Sequence, residues 1–119
     1  PRVLLVDDDE NLVHTFQLIL QKQGYLVEVA TTGNDALAKA KKDGFDLILL
    51  DIKLPDILGY EVASKIRGRN KTVAIVLITG FPSFQDAIDA LDLGIYEILL
   101  KPVSPVELLR VAKEAILFK

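Results

Sequence analysis

The chain has 119 residues, of which 50 % are hydrophobic, and this size and composition predict a single domain with one packed interior. Its net charge of −3 disfavours direct contact with nucleic acid, because phosphate backbones select a basic surface. The absence of cysteine excludes disulfides, thiolate metal sites and thiol catalysis, and the sequence also lacks a signal peptide and any long apolar run, so we expect a cytoplasmic domain without membrane contact.

Short apolar runs alternate five times with amphipathic segments, which is typical of a sheet built from β–α repeats. The apolar runs predict strands at 3–6, 25–30, 47–50, 73–78 and 96–100. The segments that follow them predict helices at 11–23, 33–43, 59–67, 83–93 and 105–118.

Local signals support these helix boundaries. A glycine follows each of the first four helices, where a left-handed residue can close the last turn: Gly24, Gly44, Gly68 and Gly94. A hydroxyl followed three residues later by an acid predicts helix starts at Thr32, Ser83 and Ser104. The stretch 67–71 is interpreted as a solvated turn, too short to form a basic patch for nucleic acid.

The strands differ in how completely apolar they are. The runs 3–6, 47–50 and 73–78 are apolar throughout, which predicts central strands covered by helices on both faces, whereas 25–30 alternates and predicts an edge strand. With right-handed crossovers, the expected fold is α/β: a single doubly wound, five-stranded parallel sheet of order 2-1-3-4-5, flavodoxin-like, with five helices. Ligands of such sheets bind at the carboxyl ends of the first and third strands.

Polar residues follow four of the predicted strands at that edge: Asp7–Asp9, Asp51, Thr79 and Lys101. Two carboxylates about 4 Å apart repel by roughly 4 kcal/mol at an effective dielectric near 20, so a cluster of them needs a cation. Hard oxygen ligands favour Mg²⁺, which also takes phosphate oxygens. Each residue alone has an ordinary explanation, and Asp9 is interpreted as a helix cap, but the coincidence of the others favours a site for Mg²⁺ and a phosphoryl group.

The motifs that carry a family resemblance are Leu5-Val6-Asp7-Asp8, Asp51 with Leu54-Pro55 and Gly59, Ile78-Thr79, and Leu100-Lys101-Pro102. In this combination and order the chain resembles the receiver (phosphoacceptor, CheY-like) domain of two-component response regulators, over essentially all of residues 1–119. The resemblance implies a phosphorelay function: Asp51 accepts a phosphoryl group from a histidine kinase or phosphotransfer protein in a Mg²⁺-dependent reaction, and the domain switches conformation. A receiver assists its own phosphorylation and dephosphorylation but is not an enzyme in the usual sense.

The resemblance also assigns metal ligands. It implies that Asp8 and Asp51 ligate Mg²⁺ directly, that Asp7 acts mainly through water, and that the backbone carbonyl of Lys53 completes the protein ligands. For the phosphoryl group, it implies a hydrogen bond from Thr79 and an ion pair with Lys101, whose peptide bond to Pro102 is expected to be cis.

Two positions depart from the family pattern. Ile98 stands where receivers usually carry an aromatic residue, and Leu58 replaces the aspartate that usually precedes Gly59. A β-branched side chain has few rotamers and no ring to swing inward. We therefore expect the phosphorylation signal to be read through a backbone shift around 80–81 and through the fourth helix.

Other functions remain open at this point. A nucleotide- or flavin-binding enzyme on the same topology needs a Gly- or Ser-rich loop after the first strand, but this chain has an acidic stretch at 7–10. The second alternative is a degenerate receiver that acts as a docking or dimerisation module without phosphorylation. The chain is expected to come from a longer protein, in which an effector domain would be a partner, and homodimerisation stays open.

Overall fold

The computed structural model describes residues 1–42, 44–80 and 82–118. Strands and helices alternate along these residues. The strands are β1 Arg2–Val6, β2 Leu26–Ala30, β3 Leu47–Asp51, β4 Ala74–Thr79 and β5 Glu97–Leu100. The helices are α1 Glu10–Lys22, α2 Gly33–Ala40, α3 Gly59–Arg69, α4 Phe84–Asp92 and α5 Pro105–Leu117. Position 43, the predicted end of the second helix, lies outside the described residues.

The five strands form one parallel sheet in the order β2-β1-β3-β4-β5, which confirms the predicted α/β fold. The register aligns the carboxyl ends of neighbouring strands. Val6 pairs with Leu50 on β3, and Asp51 pairs with Ile78 on β4. The residues that follow these pairs therefore lie at one edge of the sheet, where the sequence predicts a site.

Helices cover both faces of the sheet and create two apolar interiors. Because side chains alternate along a strand, Leu5 of β1 packs on the face that α1 and α5 cover, whereas Leu4 packs on the opposite face with α2 and α3. Three strands are buried along their whole length or nearly so: β1, β3 and β4. The edge strand β2 is only partly buried, as its alternating pattern predicts. In the described ranges, no helix combines the length and the apolar content that crossing a membrane requires.

The helix starts carry the predicted side-chain caps. Asp9 Oδ1 accepts hydrogen bonds from the Asn11 and Leu12 amides at 3.1 and 3.2 Å, so the interpretation of Asp9 as the cap of α1 is confirmed. The hydroxyls predicted to cap the later helices do so in the same way: Thr32, Ser83 and Ser104.

The helix ends agree with the sequence except at α2 and α3. Gly24 and Gly94 directly follow the cap residues of α1 and α4 and have positive φ angles of 91° and 63°, as expected of residues that close a helical turn. Helix α2 ends at Ala40, before its predicted end, so Gly44, with a φ angle of 100°, does not close its last turn. The prediction that Gly68 ends α3 is wrong, because the helix continues to Arg69. Asn70 closes the turn instead, since its side-chain oxygen accepts hydrogen bonds from the amides of residues 72 and 73, both at 3.0 Å.

Arg67 corrects the interpretation of 67–71 as a solvated turn. Its side chain is partly buried and donates hydrogen bonds to the carbonyl oxygens of Val73 at 2.6 Å, Leu93 at 2.8 Å and Gly94 at 3.2 Å. The guanidinium thus connects the end of α3 to the start of β4 and to the turn that follows α4. A planar group with several donors suits such a cluster of carbonyls.

Candidate functional site

Three carboxylates meet at the carboxyl edge of the sheet. Asp7 and Asp8 follow β1, Asp51 ends β3, and each offers an oxygen that lies within 4.8 Å of those of the other two. Asp7 is 0 % exposed and Asp51 is 4 % exposed, whereas Asp8 lies on the surface. The structure therefore brings together the three predicted metal-ligating side chains, with access from the side of Asp8.

Asp7 is held firmly inside the protein. Its backbone amide donates to the Ala30 carbonyl at 3.1 Å, and its Oδ1 accepts a hydrogen bond from the Asp9 amide at 2.9 Å. Its Oδ2 is buried and pairs with the Lys101 ammonium, whose Nζ atom lies 2.9 Å away. A buried carboxylate oxygen in this condition gains from a cation nearby.

Lys101 supplies the positive charge of the site. It follows β5, its amide donates to the Thr79 carbonyl at 2.8 Å, and its peptide bond to Pro102 is cis, as expected. The Nζ atom lies 2.9 Å from Asp7 Oδ2 and 3.4 Å from Asp51 Oδ2. Burial alone lowers the pKa of Lys101, but the hydrogen bond and charge of Asp7, together with the charge of Asp51, raise it above its ordinary value. The side chain is therefore a cation at neutral pH.

Opposing electrostatic effects act on the Asp51 carboxylate. Burial and the negative charge of Asp7 raise the pKa of Asp51, while the Lys101 charge and the hydrogen bond from the Lys53 amide, 3.2 Å from Oδ1, act in the opposite direction. Three carboxylates face one ammonium, so negative charge is in excess. A divalent cation with a preference for oxygen ligands offsets that excess, and the donor set therefore fits Mg²⁺.

Thr79 and Lys53 lie on either side of Asp51. Thr79 is the last residue of β4, is 2 % exposed, and follows Ile78, the partner of Asp51 in the sheet. Lys53 has an exposed side chain and begins the loop after β3, where it forms a short antiparallel bridge with Leu58. All the strand-end residues that the sequence predicts for the site thus share one edge.

Gly59 fits where no larger residue can. A Cβ atom built on it would lie 2.7 Å from the Ile52 Cα and closer still to the Asp51 carbonyl oxygen. Its amide donates to the Ile52 carbonyl at 2.7 Å. The start of α3 is therefore packed directly against the backbone that carries the Asp51 carboxylate.

The two departures from the family pattern have local structural consequences. Leu58 is 56 % exposed and is the N-terminal cap residue of α3, where it makes no side-chain capping hydrogen bond. Ile98 is partly buried and packs against the interior between the sheet and α2 and α3. Phe81, part of the expected readout segment, lies outside the described residues.

One contact near the site was not predicted from the sequence. The Asp56 carboxylate accepts hydrogen bonds from the backbone amides of Gly33 at 2.8 Å and Asn34 at 2.9 Å. These bonds lower the pKa of Asp56. Asp56 lies 23 positions after Gly33 and 22 positions after Asn34 in the sequence. The sequence signal for this contact is an acid after Pro55, and such an acid is ordinary in a turn.

Comparison with known proteins agrees with this geometry. A family model described as "Response regulator receiver domain" matches residues 3–113. The response regulator ArlR of Staphylococcus saprophyticus is 37 % identical over 108 residues, which are 91 % of this chain and 49 % of ArlR. The alkaline phosphatase synthesis transcriptional regulatory protein PhoP of Bacillus subtilis is 37 % identical over 106 residues, 89 % of this chain and 44 % of PhoP.

Solved structures show the same fold. A CheY-like response regulator receiver domain protein from Methanospirillum hungatei has a TM-score of 0.93 at 36 % identity, covering 97 % of this chain and 92 % of that one. The non-phosphorylated HemR receiver domain from Leptospira biflexa has a TM-score of 0.94 at 33 % identity, covering 100 % and 96 % of the two chains. By contrast, the chain spans about half the length of the curated relatives ArlR and PhoP.

Proposed function

This chain belongs to the response regulator receiver domain family of two-component phosphorelays, and from that membership we propose that Asp51 is its phosphoacceptor. Receiver domains are phosphoacceptors rather than classical enzymes. The observation that carries the proposal is the position of the Asp51 carboxylate, buried beside Asp7, within reach of the exposed Asp8 and 3.4 Å from Lys101 Nζ. A histidine kinase or phosphotransfer protein is the proposed donor.

We assign the metal ligands in the same way. Asp8, Asp51 and the backbone carbonyl of Lys53 would hold Mg²⁺, and Asp7 would act mainly through water. Bound Mg²⁺ supplies positive charge that neutralises carboxylate and phosphoryl oxygens. The excess of carboxylates in this buried cluster supports this assignment.

The residues of the chain account for the transfer chemistry. An ionised Asp51 oxygen forms a bond to phosphorus as the bond from phosphorus to the leaving group of the donor breaks, which produces an acyl phosphate. Lys101 pairs with one phosphoryl oxygen, and the Thr79 hydroxyl donates a hydrogen bond to another. Such transfers depend mostly on positioning and electrostatics, which a preformed cluster at the edge of a rigid sheet provides.

The competing functions have no comparable support. A nucleotide-binding loop after β1 would leave amides free for phosphate, but Asp9 accepts hydrogen bonds from the first amides of α1. A docking module that is never phosphorylated would not need the complete set of strand-end residues, and this chain retains the set.

We further propose that the domain works in the cytoplasm within a longer regulator whose effector domain receives its signal. Two relatives support this context. ArlR is described as a response regulator and PhoP as a transcriptional regulatory protein, and both extend well beyond the matched region. Contact with DNA would then belong to the effector domain, because the receiver is acidic. Light scattering with and without a phosphodonor measures whether the receiver forms a homodimer.

The direct test is covalent labelling. The protein is incubated with Mg²⁺ and a small phosphodonor such as acetyl phosphate, and its intact mass is measured. We expect one phosphoryl adduct, absent in Asp51→Asn and absent when the metal is chelated. No adduct from either acetyl phosphate or a phosphorylated kinase would refute the proposal and favour the docking module.

A further inference from the structure

The loop that follows Asp51 is tied to the start of α2. The two Asp56 oxygens accept hydrogen bonds from different amides, Oδ1 from Gly33 at 2.8 Å and Oδ2 from Asn34 at 2.9 Å. A carboxylate held by two backbone donors at the positive end of a helix is fixed in both position and orientation. The loop between β3 and α3 is therefore anchored to a second helix at its middle.

The first turn of α2 shows that this anchor is part of the helix start. The Asp35 amide donates to the Thr32 hydroxyl at 3.1 Å, and the Ala36 amide donates to the Thr32 carbonyl at 3.0 Å. The two remaining amides of the turn, those of Gly33 and Asn34, donate their hydrogen bonds to Asp56. The amides of the first three helical residues, Gly33, Asn34 and Asp35, are thus all satisfied by side chains, two of them by a residue from another loop.

Packing strengthens the same junction. A Cβ atom on Gly33 would lie 2.8 Å from Ile57 Cδ1 and 3.1 Å from Val62 Cγ2. Ile57 therefore occupies the space that a side chain at position 33 would need. The polar contact of Asp56 and the apolar contact of Ile57 hold adjacent loop residues against the same point of α2.

The anchored loop leads directly to the site. Its first residues include Lys53, whose amide donates to Asp51 Oδ1 at 3.2 Å and which forms a bridge with Leu58. The last residue of the loop precedes Gly59, whose amide donates a hydrogen bond to the Ile52 carbonyl at 2.7 Å. Displacement of the middle of this short loop would move the Lys53 backbone relative to the Asp51 carboxylate.

We propose that Asp56 is a positioning residue for the phosphoacceptor site: anchored on the α2 amides, it fixes the loop so that the Lys53 carbonyl and the Asp51 carboxylate face a divalent cation together. This inference rests on the proposed function, because it concerns the same cation site. Asp56 acts through the loop and does not touch the cation or the phosphoryl group. Groups that hydrogen-bond directly to metal ligands typically change metal affinity by about 10–100-fold when removed, so an effect through the loop is expected at the lower end of that range.

The test compares variants that weaken the same helix start by different routes. Asp56→Ala removes both acceptors, and Asp56→Asn keeps one acceptor oxygen. The matched control is Thr32→Ala, which removes the other side-chain cap of α2 but leaves the loop untouched. The metal-free proteins are compared by urea unfolding and by amide hydrogen exchange of residues 52–58, and Mg²⁺ affinity is measured by calorimetric titration.

We expect Asp56→Ala to weaken Mg²⁺ binding by about tenfold and to increase exchange of the loop amides, with Asp56→Asn intermediate. Thr32→Ala should lose stability yet bind Mg²⁺ within about twofold of wild type, which separates loop positioning from general helix weakening. The inference is overturned if Asp56→Ala binds as wild type does, or if Thr32→Ala weakens binding equally. If Asp56→Ala does not fold, Asp56→Asn decides by the same criteria. Wild-type protein that neither binds Mg²⁺ nor forms an adduct would instead contradict the proposed function itself.

Discussion

Lys101 and Asp7 form an ion pair of 2.9 Å although β3 and β4 lie between their strands in the sheet. The lysine side chain spans the carboxyl edge and also approaches Asp51 at 3.4 Å. It therefore balances part of the negative charge of the site before any cation binds.

Removing this charge should destabilise the metal-free protein. For Lys101→Met we expect a loss of about 1–3 kcal/mol in the free energy of unfolding, less than for a fully buried pair because the lysine side chain is 26 % exposed. Mg²⁺ should restore more stability to the variant than it adds to wild type. Urea unfolding with and without Mg²⁺ measures both effects.

Lys42→Met is the matched control, since its ion pair with Glu28 at 3.2 Å is on the surface. Such pairs contribute about 0–1 kcal/mol, and the control should respond to Mg²⁺ as wild type does. Equal behaviour of the two variants would contradict the charge-balancing role of Lys101.

Neutralising the phosphoacceptor should stabilise the protein when no metal is present. The folded structure raises the pKa of Asp51, so the folded state binds its proton more tightly than the unfolded chain, and the ionised carboxylate costs stability at neutral pH. Asp51→Asn should therefore unfold with a higher free energy, by on the order of 1–2 kcal/mol at pH 7 in a chelator.

The pH dependence gives the sign of this effect. The protonated Asp51 carboxyl favours the folded state, and this stabilisation is lost as pH rises through the raised pKa of Asp51 in the folded protein. Below the ordinary carboxyl pKa of 3.8, Asp51 is protonated in both states and its ionisation no longer costs stability. The advantage of Asp51→Asn should shrink as pH falls from 7 toward that value. A constant difference across the range would show that charge is not its cause.

Two glycines of α3 should respond oppositely to alanine. Gly59→Ala forces a Cβ atom against the backbone of Asp51 and Ile52, and we expect it to cost about 2–3 kcal/mol and to reduce phosphorylation. The Cβ atom of Gly68→Ala would meet nothing within 4 Å, and because position 68 is helical in the last turn of α3, the change should stabilise by up to about 0.5–1 kcal/mol without affecting phosphorylation. Thermal unfolding and adduct formation compare them; stabilisation by both would disprove the close packing at Gly59.

Arg67 should be necessary for the stability of the turn after α4. Arg67→Ala leaves the carbonyls of Val73, Leu93 and Gly94 without this donor, and a loss of about 2 kcal/mol is expected. Hydrogen exchange should increase at the end of α4. Arg69→Ala removes an exposed arginine from the same helix and should change the free energy of unfolding by less than about 0.5 kcal/mol. A similar small change for Arg67→Ala would refute its connecting role.

The sequence predicts the sheet and the cluster at its edge because both follow from local patterns. Continuous apolar runs identify central strands, and parallel strands must end at the same edge, so Asp7, Asp51 and Lys101 are brought together by topology alone. The strand order and register bring their backbones to one edge, and the long Lys101 side chain then reaches across β4 and β3 to Asp7.

Contacts between loops do not follow from such patterns. Asp56 binds the start of α2 only because α2 and α3 pack side by side, and nothing near position 56 indicates this. Arg67 lies in a polar stretch that resembles a solvated turn, and its burial depends on where the chain returns at residues 73 and 93. Gly68 predicts the end of α3 from a local pattern, and that prediction is wrong. The helix continues to Arg69, and the Asn70 side-chain oxygen accepts the hydrogen bonds of the turn that follows.

A crystal structure with Mg²⁺ and beryllium fluoride, a mimic of the phosphoryl group, tests the central claim most directly. We predict the mimic on an Asp51 oxygen near Thr79 and Lys101, and Mg²⁺ at about 2.0–2.1 Å from oxygens of Asp8, Asp51 and the Lys53 carbonyl. The same structure should show a backbone shift after Thr79 rather than only a new Ile98 rotamer. Mimic or metal bound away from Asp51 would contradict the account.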